Sequence, residues 1–106
     1  MVKKKVIKII KEFVGAVKKE GIRVDKVILY GSYAKGKERE DSDIDVAIIS
    51  KDFGKDTVEE GEKLFVIAGD VNPRIEPLPI SFNSYKKDLW VPLIYEIRKK
   101  GVELLV

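Results

Sequence analysis

Gly31-Ser32, followed after ten residues by Asp43-Ile44-Asp45 at the head of an apolar run, constrains this chain more tightly than any other feature. The pair closes the stretch Val27-Ile28-Leu29-Tyr30, which reads as a strand handing over to a tight turn and a short helix. Asp43 to Ser50 reads as the next strand. Strand side chains alternate, so Asp43 and Asp45 share one face while Ile44 and Val46 point to the other. Two ionised carboxylates roughly 7 Å apart by strand rise repel each other unless positive charge lies between them. A divalent metal is the economical counter-charge, and a Gly-Ser turn offers backbone N–H groups and a hydroxyl to an anion. Together they point to a site for a metal-bound polyphosphate.

The residue inventory narrows the chemistry. The chain has no histidine and no cysteine, which removes imidazole acid–base catalysis, the usual zinc sites and thiolate chemistry. Any metal must be held by oxygen ligands, so Mg²⁺ is expected, with Mn²⁺ as the alternative. The absence of cysteine favours a reducing, cytoplasmic setting. Its 106 residues suit one domain, 1–106, with a single core. Met1-Val2-Lys3-Lys4-Lys5 resembles the start of a signal peptide, but Lys8, Lys11 and Glu12 break up the apolar stretch that would have to follow. No segment is long enough for a membrane span. The 21 basic and 18 acidic residues nearly cancel to a net +3, so no dominant basic patch for nucleic acid is expected.

Periodicity supplies the remaining elements. Val6, Ile9, Ile10, Phe13, Val14 and Val17 recur at helical spacing over residues 3–20, with Gly21 placed to end the helix. Residues 24–30 read as a strand buried on both faces. A helix is expected over 56–70, with Val58, Leu64, Phe65, Ala68 and Val71 on its apolar side. Residues 74–80 read as a third strand, for which Pro77 and Pro79 argue an edge position or an early end. The stretch 81–88 is ambiguous. Pro92 opens a final helix that buries Leu93, Ile94 and Ile97 and closes at Gly101, and 102–106 form a short apolar tail or strand. The predicted class is α+β: a small mixed sheet with helices mainly on one face.

Two plainer readings compete with the metal site. Gly31-Ser32-Tyr33-Ala34-Lys35-Gly36-Lys37 fits the first seven positions of a P-loop, but Glu38 stands where Ser or Thr should ligate magnesium, so that reading is set aside. The acids could instead be solvent-facing decoration of a strand start, with Asp41 or Ser42 making turn hydrogen bonds. Against this, Asp45 leads straight into Val46-Ala47-Ile48-Ile49, and a charge entering a buried strand is costly unless paired or metal-bound.

The run Gly31-Ser32-Tyr33-Ala34-Lys35-Gly36, followed by Asp41-Ser42-Asp43-Ile44-Asp45, resembles the DNA polymerase β-like nucleotidyltransferase superfamily, and most of all its minimal nucleotidyltransferases, the MNT proteins. The resemblance implies the polymerase β-like fold. It implies that Gly31 and Ser32 hold a triphosphate and that Asp43 and Asp45 ligate two Mg²⁺ ions. A third carboxylate on a neighbouring strand is also implied, with Glu76 the best candidate and Asp70 the fallback. Lys35 stands where antitoxin-like members often carry arginine; it keeps the charge but loses bidentate phosphate geometry. The resemblance further implies transfer of AMP from ATP to a hydroxyl, a tyrosine on a HEPN toxin, which makes the chain an antitoxin. The alternative is a non-catalytic module that neutralises its partner by contact or merely binds nucleotide; a small-molecule acceptor ranks last. Tyr33 is open between base stacking and packing, and Trp90 is expected in the core.

Overall fold

A computed structural model describes residues 3–39 and 42–105. Asp41, one of the residues read as a turn former, lies outside them, as does Val106 at the end of the apolar tail. The elements run α1 (Lys4–Lys19), β1 (Lys26–Tyr30), α2 (Ser32–Lys35), β2 (Ile44–Ser50), α3 (Thr57–Val71), β3 (Ile75–Ser81), α4 (Phe82–Lys87), α5 (Pro92–Lys100) and β4 (Val102–Leu104). The ambiguous stretch after β3 is therefore a short helix: Ser81 caps it by accepting from the Ser84 N–H at 3.1 Å. The apolar tail is a strand antiparallel to β1.

The sheet order is β3-β2-β1-β4, with β2 antiparallel to β1 and parallel to β3. Alternation along β2 sorts the core in two. Ile44, Val46 and Ile48 face the long helices α1 and α3, packing with Val27, Leu29, Phe13, Ile10 and Leu64. Ala47 and Ile49 face the other way, with Ile28, Ile80, Ile94 and Ile97 under the shorter α4 and α5. The central strands are thus buried on both faces, as their unbroken apolar runs require. Helix α1 follows its predicted stripe, burying Val6, Ile10, Phe13, Val14 and Val17, with Lys18 and Lys19 at the negative end of its dipole.

Helix α3 departs from its predicted apolar side. Asp56 caps it through the Glu59 N–H at 3.0 Å, and Leu64 and Ala68 are buried. Val58 and Phe65 instead face solvent, 70% and 64% exposed. Only a narrow stripe of α3 meets the sheet, and residues at 58 and 65 sit roughly a third of a turn round the helix from Leu64, on its solvent flank. Leu93, at the first turn of α5, is likewise exposed, whereas Ile94 and Ile97 are buried.

Strand β3 forms one border of the sheet, as its prolines predict. The Ile44 N–H donates to the Arg74 carbonyl at 2.7 Å, which sets the phase of the parallel ladder. In that phase Glu76 and Leu78 point their backbone groups at β2, while Pro77 and Pro79, with no N–H to offer, face outward. Replacing fully buried Leu64 by alanine is expected to cost about 2–5 kcal/mol in urea unfolding. Phe65→Ala, one residue along, should cost under about 0.5 kcal/mol.

Candidate active site

The cross-strand register assembles one row of polar side chains. Asp45 pairs with Tyr30 on one side and with Glu76 on the other, so the three project from neighbouring strands onto the α4/α5 face of the sheet. Asp43 lies one residue before β2 and continues the same alternation. Within the sheet this row gives way to Ile28, Ala47 and Leu78, which are apolar and covered. At the row itself Asp43 and Glu76 are exposed and Asp45 is half-buried. The acids therefore stand at an open rim beyond the helices, not in a closed cavity. A cavity of about 490 Å³ does lie on this face, lined by Leu78, Ile80, Ser84, Val91 and Ile94, towards the far end of β3 from Glu76.

Gly31 touches this row directly. It leaves β1 with φ 73° and ψ −146°, a conformation open essentially to glycine alone. A Cβ built on it would collide with the Asp45 carboxylate, with Oδ2 the nearest atom and Cγ at 3.1 Å. The turn after β1 and the acid on β2 thus meet because position 31 has no side chain. Ser32 opens α2, and its carbonyl accepts from the Lys37 N–H at 2.9 Å. Lys35, at the end of α2, bonds Glu96 on α5 at 3.1 Å, which ties the turn to the helix flanking the rim.

Charge accumulates here without a protein cation inside the row. Burial raises the Asp45 carboxyl above the ordinary aspartate range, and the negative charges of Asp43, Glu76 and Glu96 raise it further. The Tyr30 phenol is pushed up to about 12 by burial and by Asp45, Glu76 and Glu96. In this structure no three Asp or Glu side chains among the described residues close tightly enough to hold a metal ion. Asp43, Asp45 and Glu76 carry like charge along one row, and a divalent cation between them would offset that repulsion. All the donors are carboxylate oxygens on one rim, the set that hard cations such as Mg²⁺ take. The residues fit such an ion in chemistry, and their side chains would have to turn inward to close on it.

Other candidates fall elsewhere. Asp70, near the end of α3, sits beside Ala16, Lys19 and Glu20 of the α1 side, away from the rim. Tyr33 is buried in the core and its hydroxyl accepts a hydrogen bond from Arg74, so packing is its role. Trp90, expected in the core, is 79% exposed: the loop between α4 and α5 turns it outward. Sequence reasoning missed Tyr30, Glu96 and Arg74. Tyr30 was findable, since it precedes Gly31 on a strand of known alternation. Glu96 and Arg74 carry no local signal, because only the tertiary fold brings them to their partners.

A family model described as a nucleotidyltransferase domain matches residues 5–104, nearly the whole sequence. The chain belongs to the nucleotidyltransferase domain family. The curated Methanocaldococcus jannaschii protein "Putative protein adenylyltransferase MJ0141" is 38% identical over 102 residues, covering 93% of this chain and 98% of the relative. A second protein of that organism, "Putative protein adenylyltransferase MJ0604", is 56% identical over 43 residues, 40% of this chain and 43% of its own. Among solved structures, a "putative nucleotidyltransferase" of Sulfolobus solfataricus superposes with a TM-score of 0.65 at 18% identity, covering 93% of this chain and 78% of its own. A toxin–antitoxin structure with AMP-PNP gives 0.60 at 18% identity, covering 90% of this chain and 71% of that one. At such identity these two neighbours show a shared fold. The extent of the family match and of the longer relative accords with the minimal nucleotidyltransferase pattern read from the sequence, and the α+β fold is that of nucleotidyltransferases.

Two expectations follow for this nucleotidyltransferase. Because Asp45 has a raised pKa in the folded protein, its ionisation opposes folding as pH rises through that value. Asp45→Asn should therefore stabilise the metal-free protein at pH 7, with the gain shrinking towards pH 3, where the wild-type carboxyl is already neutral; urea titrations at both pH values check this. Gly31→Ala should destabilise by about 1–3 kcal/mol, from the forbidden φ and the collision with Asp45, whereas Gly15→Ala, whose Cβ meets nothing within 4 Å, should not.

Proposed function

We propose that this nucleotidyltransferase moves AMP from ATP to a hydroxyl of a partner protein, a tyrosine of a HEPN toxin, and so acts as the antitoxin of the pair. The observation that carries the reading is the meeting of Gly31 with Asp45, beside in-register Glu76, at an open rim. A large acceptor can reach such a rim directly, and the exposed apolar side chains of Trp90, Leu93 and Tyr95 border the same α4/α5 face. The names of the M. jannaschii relatives support a protein as acceptor. The AMP-PNP complex of the toxin–antitoxin neighbour supports an adenine nucleotide as donor and a toxin as partner.

In this reading the bare backbone at Gly31 lets the triphosphate approach, and the Ser32 hydroxyl donates to a phosphate oxygen. Lys35 leaves Glu96 to offset phosphate charge as a point cation. Asp43, Asp45 and Glu76 would hold two Mg²⁺ ions, or Mn²⁺ in their place, which supply charge neutralisation for the phosphates and a lower pKa for the attacking hydroxyl. Glu76, the most exposed end of the in-register pair, takes the proton from that hydroxyl. The new bond joins the acceptor oxygen to the α-phosphorus, and the bond from the α-phosphorus to the bridging oxygen breaks, releasing pyrophosphate. No imidazole is needed, since positioning and electrostatics do most of the work.

Incubation with labelled ATP, Mg²⁺ and a HEPN protein encoded beside this chain should label the HEPN protein. Asp43→Asn, Asp45→Asn and Glu76→Gln should each reduce labelling by about a hundredfold or more. Equal protection against the toxin by an Asp43→Asn, Asp45→Asn protein without ATP would replace the reading with neutralisation by contact.

A further inference from the structure

Arg74 lies just before β3, beside Tyr33 and the α1 residues Val6 and Ile9, on the side of the fold opposite the acidic rim, and it contacts α2 and the segment that leads into β2. Its Nε and one terminal nitrogen donate to the Ser42 carbonyl at 3.1 and 3.0 Å. The same terminal nitrogen donates to the Tyr33 hydroxyl, and the guanidinium carbon stands 5.9 Å from the centre of the Tyr33 ring. Its own carbonyl accepts from Ile44, and its N–H donates to the Asn72 side chain at 2.9 Å. Ser42 immediately precedes Asp43, Tyr33 follows Ser32 on α2, and Arg74 is two residues before Glu76. The four-residue α2 is too short to be held by its own hydrogen bonds. Asp43 precedes β2 and, among the described residues, has no ladder partner. Both therefore need an external anchor, and a guanidinium can bond two acceptors at fixed angles where an ammonium cannot.

We infer that Arg74 is a positioning residue for nucleotidyl transfer, a clamp that fixes Asp43 and the Gly31-Ser32 turn relative to each other from behind. The inference rests on the rim being the reaction site. Arg74 touches no substrate; it acts through the Ser42 carbonyl and the Tyr33 hydroxyl. Displacing a reacting group by about 1 Å can cost up to about a hundredfold in rate, so loosening this clamp should register in turnover before it registers in folding.

The test compares Arg74→Met, Arg74→Lys and Tyr33→Phe with the parent, using labelling of the HEPN protein from Mg·ATP and amide hydrogen exchange of the chain alone. Arg74→Met is expected to lower kcat by about ten- to a hundredfold with KM for ATP changed by less than about threefold. Exchange at Ile44, whose N–H donates to the Arg74 carbonyl, should speed by about tenfold or more, while Val27 to Leu29 keep their protection. Arg74→Lys should fail to restore kcat, and Tyr33→Phe, which leaves the Ser42 bonds, should fall between. Parental kcat in Arg74→Met, or exchange that speeds uniformly across the sheet, would overturn the inference. Full labelling by Asp45→Asn would instead overturn the site itself, and the exchange measurement would still report whether the clamp holds.

Discussion

The carboxylate of Asp45 is pressed against a backbone with no side chain, and the layout of the rim depends on that contact. A methyl group at position 31 would occupy the space of its oxygen. Because Asp45 is half-buried on a strand otherwise filled by Ile44, Val46, Ala47, Ile48 and Ile49, its charge is held where solvent screens it poorly. The sheet register then adds Tyr30 and Glu76 on either side, so the strained electrostatics follow from strand pairing, not from flexible loops. The raised pKa of Asp45 means that its ionisation opposes folding, and a cation bound only by the folded rim would offset that cost.

The parts of this fold that could be read from sequence were those governed by local periodicity. Alternation in β2 assigned Asp45 to one face and Ile44 to the other, and the register places them so. Pro77 and Pro79 argued for a border position of β3 because a missing N–H is a local fact. The failures are tertiary. Phe65 and Trp90 are large and apolar, yet whether such a residue is covered depends on which neighbour arrives, and at both positions none does within the described residues. From sequence Glu76 is preferred to Asp70 because it lies on a predicted strand, and the register sets it beside Asp45. The Lys35–Glu96 pair joins residues 61 positions apart in sequence, beyond the reach of any motif.

A minimal nucleotidyltransferase of this size gathers its acidic row and the Gly31 turn at one end of the sheet and devotes the remainder to holding them. The long helices α1 and α3 pack on one face of the sheet, and on the other α5 flanks the rim through Glu96, which bonds Lys35. What remains open is a ledge instead of a pocket. A ledge of this kind encloses little of whatever binds to it, unlike the concave sites that bury most of a small ligand.

The proline spacing in β3 has a further consequence. Two successive outward positions on that border present carbonyl oxygens without hydrogens, so a second extended chain laid alongside would find acceptors and almost nothing to accept from it. A sheet this small, with a border left bare beside it, would otherwise be a template for uncontrolled stacking in a crowded cell. Here the backbone itself refuses the next strand, and no charged gatekeeper is required.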